Sequence, residues 1–140
     1  MSKPRVAIFD FACCEGCQLQ IVNLEEEILD LIGVVDVVEW REAMSEQSDE
    51  YDIAIIEGSI TREEDAVRLR KIRERAKVLI ALGACAAIGG VNKLKNNFEM
   101  SDVRKCVYGA AAEKPHLDTY PTKACDEVVK VDFVIPGCPI

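Results

Sequence analysis

The sequence is short of histidine and of positive charge, and it has no long apolar run. A single histidine, His116, lies beside Pro115 in a loop-like stretch, so no Ser-His-Asp arrangement exists and a Cys-His nucleophile pair would depend on that one residue. Lys and Arg number 17 against 25 Asp and Glu, a formal net charge of −8. That balance argues against nucleic acid and anionic lipid as partners. The longest apolar runs are short pieces such as Ile53-Ala54-Ile55-Ile56, far below the ~18 residues of a membrane helix, so no direct membrane insertion is expected. The opening Met1-Ser2-Lys3-Pro4-Arg5 has neither the apolar core nor the cleavage site of a secretory signal, and a cytoplasmic location follows as the expectation. Neither Gly-x-x-x-x-Gly-Lys nor Gly-x-Gly-x-x-Gly occurs, so Gly89-Gly90 gives nucleotide binding no local support.

What is present reads as one globular domain. The 140 residues are 49% hydrophobic and 30% charged, which suits a single unit over 1–140. Val6–Phe9 is a continuous apolar run of the kind that forms a strand buried on both faces, and Val34–Trp40, Ile53–Glu57, Val78–Leu82 and Val131–Ile135 read as four further strands. Ile21, Leu24, Ile28 and Leu31 recur at helical spacing, predicting one amphipathic helix over 18–32 that stops near Gly33. Thr61-Arg62-Glu63-Glu64 has capping-box form ahead of a helix whose buried stripe is Ala66, Leu69, Ile72 and Ala76. Glu64 and Arg68 are spaced to pair along it, for ~0.3 kcal/mol. Between 89 and 130 the pattern weakens into loops, with a short helix over 102–108. Alternating strands and helices predict an α/β fold with a doubly wound parallel sheet.

The seven cysteines are the distinctive feature, an odd number in a chain that reads as cytoplasmic, where disulfides are disfavoured. Three strands end in cysteine-bearing loops: Phe11-Ala12-Cys13-Cys14-Glu15-Gly16-Cys17, Gly83-Ala84-Cys85, and Pro136-Gly137-Cys138-Pro139. In an open parallel sheet these ends share one edge, where ligands bind. Cys14, Cys17, Cys85 and Cys138 are then the complement a four-iron four-sulfur cluster requires. Gly16, Gly83 and Gly137 would let backbone approach bulky sulfide. Cys17 opens a helix, a position expected to favour its thiolate.

Other readings stand beside this one. Any one cysteine is more often a small buried hydrophobe. Cys14-x-x-Cys17 after a strand also suits a thioredoxin-like dithiol protein, though Cys85 and Cys138 then have no role. Structural zinc usually shows a second close pair. Cys13, Cys106 and Cys125 do not complete another four-ligand site and read as packing or surface thiols. Glu15 and Glu57, at strand ends, read as caps for backbone N–H groups, with a proton path as the alternative.

Ala12-Cys13-Cys14-Glu15-Gly16-Cys17-Gln18-Leu19-Gln20, Ile56-Glu57-Gly58-Ser59, Gly83-Ala84-Cys85-Ala86-Ala87-Ile88-Gly89-Gly90 and Ile135-Pro136-Gly137-Cys138-Pro139 together resemble the small subunit of cytoplasmic nickel-iron hydrogenases, a family that includes a related subunit of complex I. The likeness covers nearly the whole chain and is strongest to the sulfhydrogenase and methyl-viologen-reducing types. It implies a flavodoxin-like domain carrying one proximal 4Fe-4S cluster at the carboxyl ends of the strands, ligated by Cys14, Cys17, Cys85 and Cys138. It implies an electron relay between the nickel-iron centre of a large subunit and further iron-sulfur or flavin subunits. The chain itself would contribute no group to dihydrogen cleavage.

Two departures from the family pattern carry expectations of their own. Family members usually continue past Pro-Gly-Cys-Pro into a closing segment, which a chain ending at Ile140 is expected to lack. The tandem Cys13-Cys14 resembles the ligand pair of complex I relatives, so a quinone-reductase or membrane-hydrogenase small subunit is the alternative function.

Overall fold

Continuous apolar runs set the frame. A computed structural model describes residues 2–140. In it β1 (Arg5–Asp10), β2 (Asp36–Trp40), β3 (Ile53–Glu57), β4 (Val78–Leu82) and β5 (Phe133–Ile135) form one all-parallel sheet in the order β2-β1-β3-β4-β5. The order reverses between β1 and β3, and in a doubly wound sheet that switch point opens a crevice at the carboxyl ends. The predicted α/β class and parallel sheet are therefore present. β3 and β4 match their sequence-read bounds, whereas β2 starts at Asp36 and β5 at Phe133. Just before β5, the Asp132 carboxylate accepts the Leu79 N–H at 2.9 Å and Arg73 at 2.6 Å.

The helices are α1 (Gly16–Val22), α2 (Glu27–Val34), α3 (Glu63–Arg75), α4 (Gly83–Ile88) and α5 (Met100–Tyr108). The single helix expected over 18–32 is two, because the chain turns at Asn23–Glu26 with Glu25 at φ 52°. The second of them stops at Val34, near Gly33 as expected, although Val35 and not the glycine is its C-cap. The capping box at Thr61 does not form either: Arg62 is the N-cap of α3 and no side chain caps it. Thr61 instead gives its carbonyl to the Tyr120 N–H at 2.9 Å. From Val91 to Glu127 the expected excursion is α5 plus four 3-10 turns.

α3 seals one face of the sheet, burying Ala66, Leu69 and Ile72 against Phe9, Ala54, Ile56 and Leu79. On the opposite face Val6, Ile8 and Trp40 form a smaller core under α1 and α2. α2 has no buried residue, and a cavity of about 220 Å³ lies beneath it, lined by residues that include Ile28, Leu31, Val37 and Ile55. Among the described residues no helix is long and apolar enough to cross a membrane.

Candidate functional site

The loops after β1 and β3 are stitched together at the switch point. Ala12 N–H donates to the Ser59 carbonyl at 3.1 Å, and Ser59 N–H returns to the Ala12 carbonyl at 2.9 Å. α1 then starts at Gly16 behind Glu15, which holds a left-handed φ of 61° and makes no side-chain cap. Its carboxylate pairs with Arg41 at 3.2 Å. The cap comes from Glu57 at the end of β3, whose carboxylate accepts the Cys17 N–H at 3.0 Å and the Gln18 N–H at 3.2 Å. Glu57 is only 2% exposed, so a buried negative group aims the first turn of α1 and the Cys17 it carries. Of the two carboxylates read as caps, Glu57 is one and Glu15 is not.

Backbone without Cβ brings the remaining loops in. Gly83, at φ +78°, opens α4, and a Cβ there would lie 2.4 Å from Cys17 Sγ and 3.5 Å from the Gly137 carbonyl. Ala84 N–H donates to that carbonyl at 2.7 Å, joining the start of α4 to the loop after β5. Gly90, at φ +55°, folds the chain over Cys85, leaving its missing Cβ 2.8 Å from Cys85 Sγ. Gly16 leaves Cys14 Sγ 3.3 Å and Pro139 Cβ 3.9 Å from where its own Cβ would be. The loops carrying Cys14, Cys17, Cys85 and Cys138 thus abut at one edge of the sheet.

The field there is negative. Burial raises the Cys85 thiol above its usual range, and the nearby Cys138, Cys14 and Glu57 raise it further, against an N–H donated by Val91. Cys17 is raised by burial and then by Glu57 and Cys14, opposed by the Ile140 N–H. The direction runs against the expectation that the helix start would favour the Cys17 thiolate, first because the thiol is buried and then because the Glu57 carboxylate takes the free N–H groups of α1. Burial pushes the Cys13 thiol up to about 12, with Glu57, Glu15 and Asp10 adding to it against the Glu15 N–H.

Cys17 is buried, Cys85 half-buried, and Cys14 and Cys138 exposed at the edge. No three His, Cys, Asp or Glu side chains among the described residues are grouped to hold a single metal ion. Cys13 sits half-buried beside this edge; Cys125 is buried, its thiol 3.8 Å from the Gly58 carbonyl, and Cys106 is exposed on α5. His116 is exposed, in the 3-10 turn Pro115–Leu117.

Two residues escaped the sequence reading. Gln18 is buried and accepts the Trp40 indole N–H at 2.9 Å, leaving its own Nε2 without a partner. A polar residue on the buried face of α1 was the available signal. Asn92 donates to the Ala12 carbonyl at 2.7 Å and to Ser59 Oγ at 2.9 Å. Its loop character was legible, but its partners were not.

The profile of the NADH ubiquinone oxidoreductase 20 Kd subunit family matches residues 14–140. The chain belongs to that family. Within it, the chain is 35% identical over 136 residues to sulfhydrogenase 2 subunit delta of Pyrococcus furiosus, covering 96% of this chain and 56% of that protein. It is 34% identical over 153 residues to the NAD-reducing hydrogenase HoxS subunit delta of Cupriavidus necator, covering 98% of this chain and 72% of that protein. Against a chain of a crystal structure of NAD+-reducing NiFe-hydrogenase in the H2-reduced state, it gives a TM-score of 0.87 at 29% identity, covering 99% of this chain and 84% of that one. The chain spans about half the length of the Pyrococcus relative and of an F420-non-reducing hydrogenase subunit from Methanococcus voltae (56% and 52%). The family's hydrogenase branch thus supplies relatives in both sequence and fold.

Proposed function

We propose that this chain is the electron-transfer small subunit of a nickel-iron hydrogenase, holding one 4Fe-4S cluster on Cys14, Cys17, Cys85 and Cys138. The observation that carries this reading is the meeting of those four cysteines' loops at the carboxyl edge, with Cys17 Sγ in the space a Cβ on Gly83 would fill. The residues fit such a group: soft sulfur donors from three loops, with Gly16, Gly83 and Gly90 leaving no Cβ against the sulfurs of Cys14, Cys17 and Cys85. When bound, the cluster would supply one-electron redox chemistry.

The chain's own residues hold and seal. Glu57 fixes the first turn of α1 and with it the backbone of Cys17. The Ala84–Gly137 bond sets the spacing between the loops of Cys85 and Cys138. Cys14 and Cys138 lie exposed, a placement that suits a site completed by a neighbouring large subunit, with further iron-sulfur or flavin subunits taking the electron onward. An obligate interface of that kind often exceeds ~2,000 Å². Free thiols suit a reducing, cytoplasmic compartment.

The test is anaerobic purification with the partner subunit. A brown protein with about four irons assigned to this chain is expected, and single alanine replacement of any of the four cysteines should abolish the cluster or its electron transfer. Colourless, zinc-loaded protein overturns the reading. The half-buried Cys13, adjacent to Cys14, favours a second one: a subunit of the complex I type, ligated through the tandem pair. Loss of iron in Cys13→Ala with retention in Cys17→Ala would select it.

A further inference from the structure

Asn92 lies outside the cysteine motifs, in the 3-10 turn Val91–Asn97 that follows α4. Its carboxamide donates to the Ala12 carbonyl at 2.7 Å and to Ser59 Oγ at 2.9 Å. The same carbonyl also accepts the Ser59 N–H at 2.9 Å and the Ser59 hydroxyl at 3.3 Å. Three donors thus converge on one peptide oxygen, while the Ala12 N–H goes to the Ser59 carbonyl. The turn that supplies Asn92 is itself held. The Asn92 carbonyl accepts the hydroxyl of the buried Thr122 at 3.0 Å, and Asn96 accepts the Thr122 N–H at 2.7 Å.

The pinned oxygen belongs to the peptide that enters the tandem cysteines. A peptide unit is planar, so fixing Ala12 and its carbonyl also fixes the N–H and Cα of Cys13. Beyond the pair, Glu57 holds the backbone of Cys17 and Gln18. The short stretch from Cys13 to Gly16 therefore spans two fixed points, which leaves little freedom over which thiol faces the edge. Cys14 is exposed there, its Sγ 3.3 Å from where a Cβ on Gly16 would lie, with Pro139 Cβ of the third cysteine loop 3.9 Å from the same point. Cys13 is half-buried. We propose that Asn92 is a positioning residue: with Ser59 it pins the Ala12–Cys13 peptide so that Cys14, and not its neighbour Cys13, is presented where the three cysteine loops meet. The use of the presented thiol as a cluster ligand rests on the iron-sulfur reading above; the pinning does not.

The experiment compares the iron-free, reduced full chain, wild type, with Asn92→Ala, Asn92→Asp, Ser59→Ala and Asn97→Ala. Asn92→Asp keeps the shape and removes both donors. Ser59→Ala is milder and removes only the hydroxyl leg of the knot. Asn97 bonds within its own turn, to the Leu94 carbonyl. Timed iodoacetamide labelling, read by tandem mass spectrometry, gives the rates at Cys13, Cys14 and Cys138. Cys14 should label before Cys13 in wild type. In both Asn92 variants the ratio of the two rates should shrink about two- to tenfold, the range expected for one lost hydrogen bond, with Cys138 unchanged. Ser59→Ala should shift the ratio the same way by less, and Asn97→Ala should match wild type. An unchanged ratio in Asn92→Asp and Ser59→Ala overturns the pinning, and so does an equal acceleration at Cys138, which would mean general loosening. In the complex purified with its partner, Asn92→Asp should hold less iron than wild type and Asn97→Ala as much. Full iron in Asn92→Asp despite a shifted ratio overturns the ligand-presenting role. A wild type without iron overturns the iron-sulfur reading and leaves the labelling to decide the pinning.

Discussion

The two faces of the sheet differ in how they are closed. α3 presents a stripe of Ala66, Leu69 and Ile72 and loses it entirely to the core, whereas α2, with the more apolar sequence, has no fully buried residue, packs only the half-buried Ile28 on the core and leaves Leu29 64% exposed. Apolar content therefore does not say which helix holds the domain together; the fit to the sheet does. The α3 side closes on close-packed small residues, Ala7, Ala54, Ala66 and Ala81, while the α1–α2 side rests over a cavity. The cysteine loops hang where both faces end, and Glu57 ties α1 to β3 there.

The largest expected effect lies on the sealed face. Leu69→Ala should cost about 2–5 kcal/mol, since Leu69 is fully buried and its truncation leaves a cavity in the core. Leu29→Ala should stay within about 0.5 kcal/mol. Urea unfolding of both variants measures the difference; equal costs would mean that the two faces carry the fold alike.

The next effect belongs to the tie between them. Glu57→Ala leaves two buried N–H groups at the start of α1 without an acceptor, for about 1–3 kcal/mol. Hydrogen exchange should rise across Gly16–Val22 and remain slow across Glu63–Arg75. Faster exchange in α3 as well would show the faces to be coupled through β3.

A smaller, pH-dependent effect sits at the opposite end of the sheet, below both faces. Asp52 accepts the Arg5 N–H at 2.8 Å and pairs with Lys77 at 2.8 Å. The hydrogen bonds from Lys77 and then from the Arg5 backbone hold its carboxyl down at about 2, against an ordinary 3.8. A depressed folded value means that its contribution is complete above about pH 4 and disappears as pH falls through about 2. Denaturation midpoints of wild type and Asp52→Asn should therefore converge between pH 4 and pH 2, and a constant gap over that window would remove Asp52 from the account.

Much of this architecture was legible in the sequence, because strands buried on both faces are written as unbroken apolar runs. Ile53–Glu57 and Val78–Leu82 needed no tertiary information. The break at Asn23–Glu26 was not readable, since Leu24 continues the helical spacing and only the left-handed Glu25 interrupts it. At the site, the sequence grouped the three cysteine loops by their strand ends, but it misjudged Cys17, whose environment is set by its burial and by Glu57 on another strand. Asn92 was invisible for the same reason: a hydrogen bond spanning 80 residues leaves no local pattern.

α3 also separates local from tertiary pairing, and here the expected effects are smallest. Helical spacing pairs Glu64 with Arg68, but Arg68 turns across the helix instead. It donates to the Asp10 carbonyl at 2.9 Å, with its guanidinium 4.9 Å from the Phe11 ring and 5.8 Å from that of Phe9. Glu64 stays at the surface, 4.0 Å from Arg62. Arg68→Ala should thus cost about 0.5–1 kcal/mol, the value of an exposed cation–π contact, and Glu64→Ala at most about 0.3 kcal/mol. A double-mutant cycle between them should give a coupling near zero. Coupling as large as a helical ion pair would return Arg68 to the helix surface and detach it from the β1 loop that leads into the cysteines.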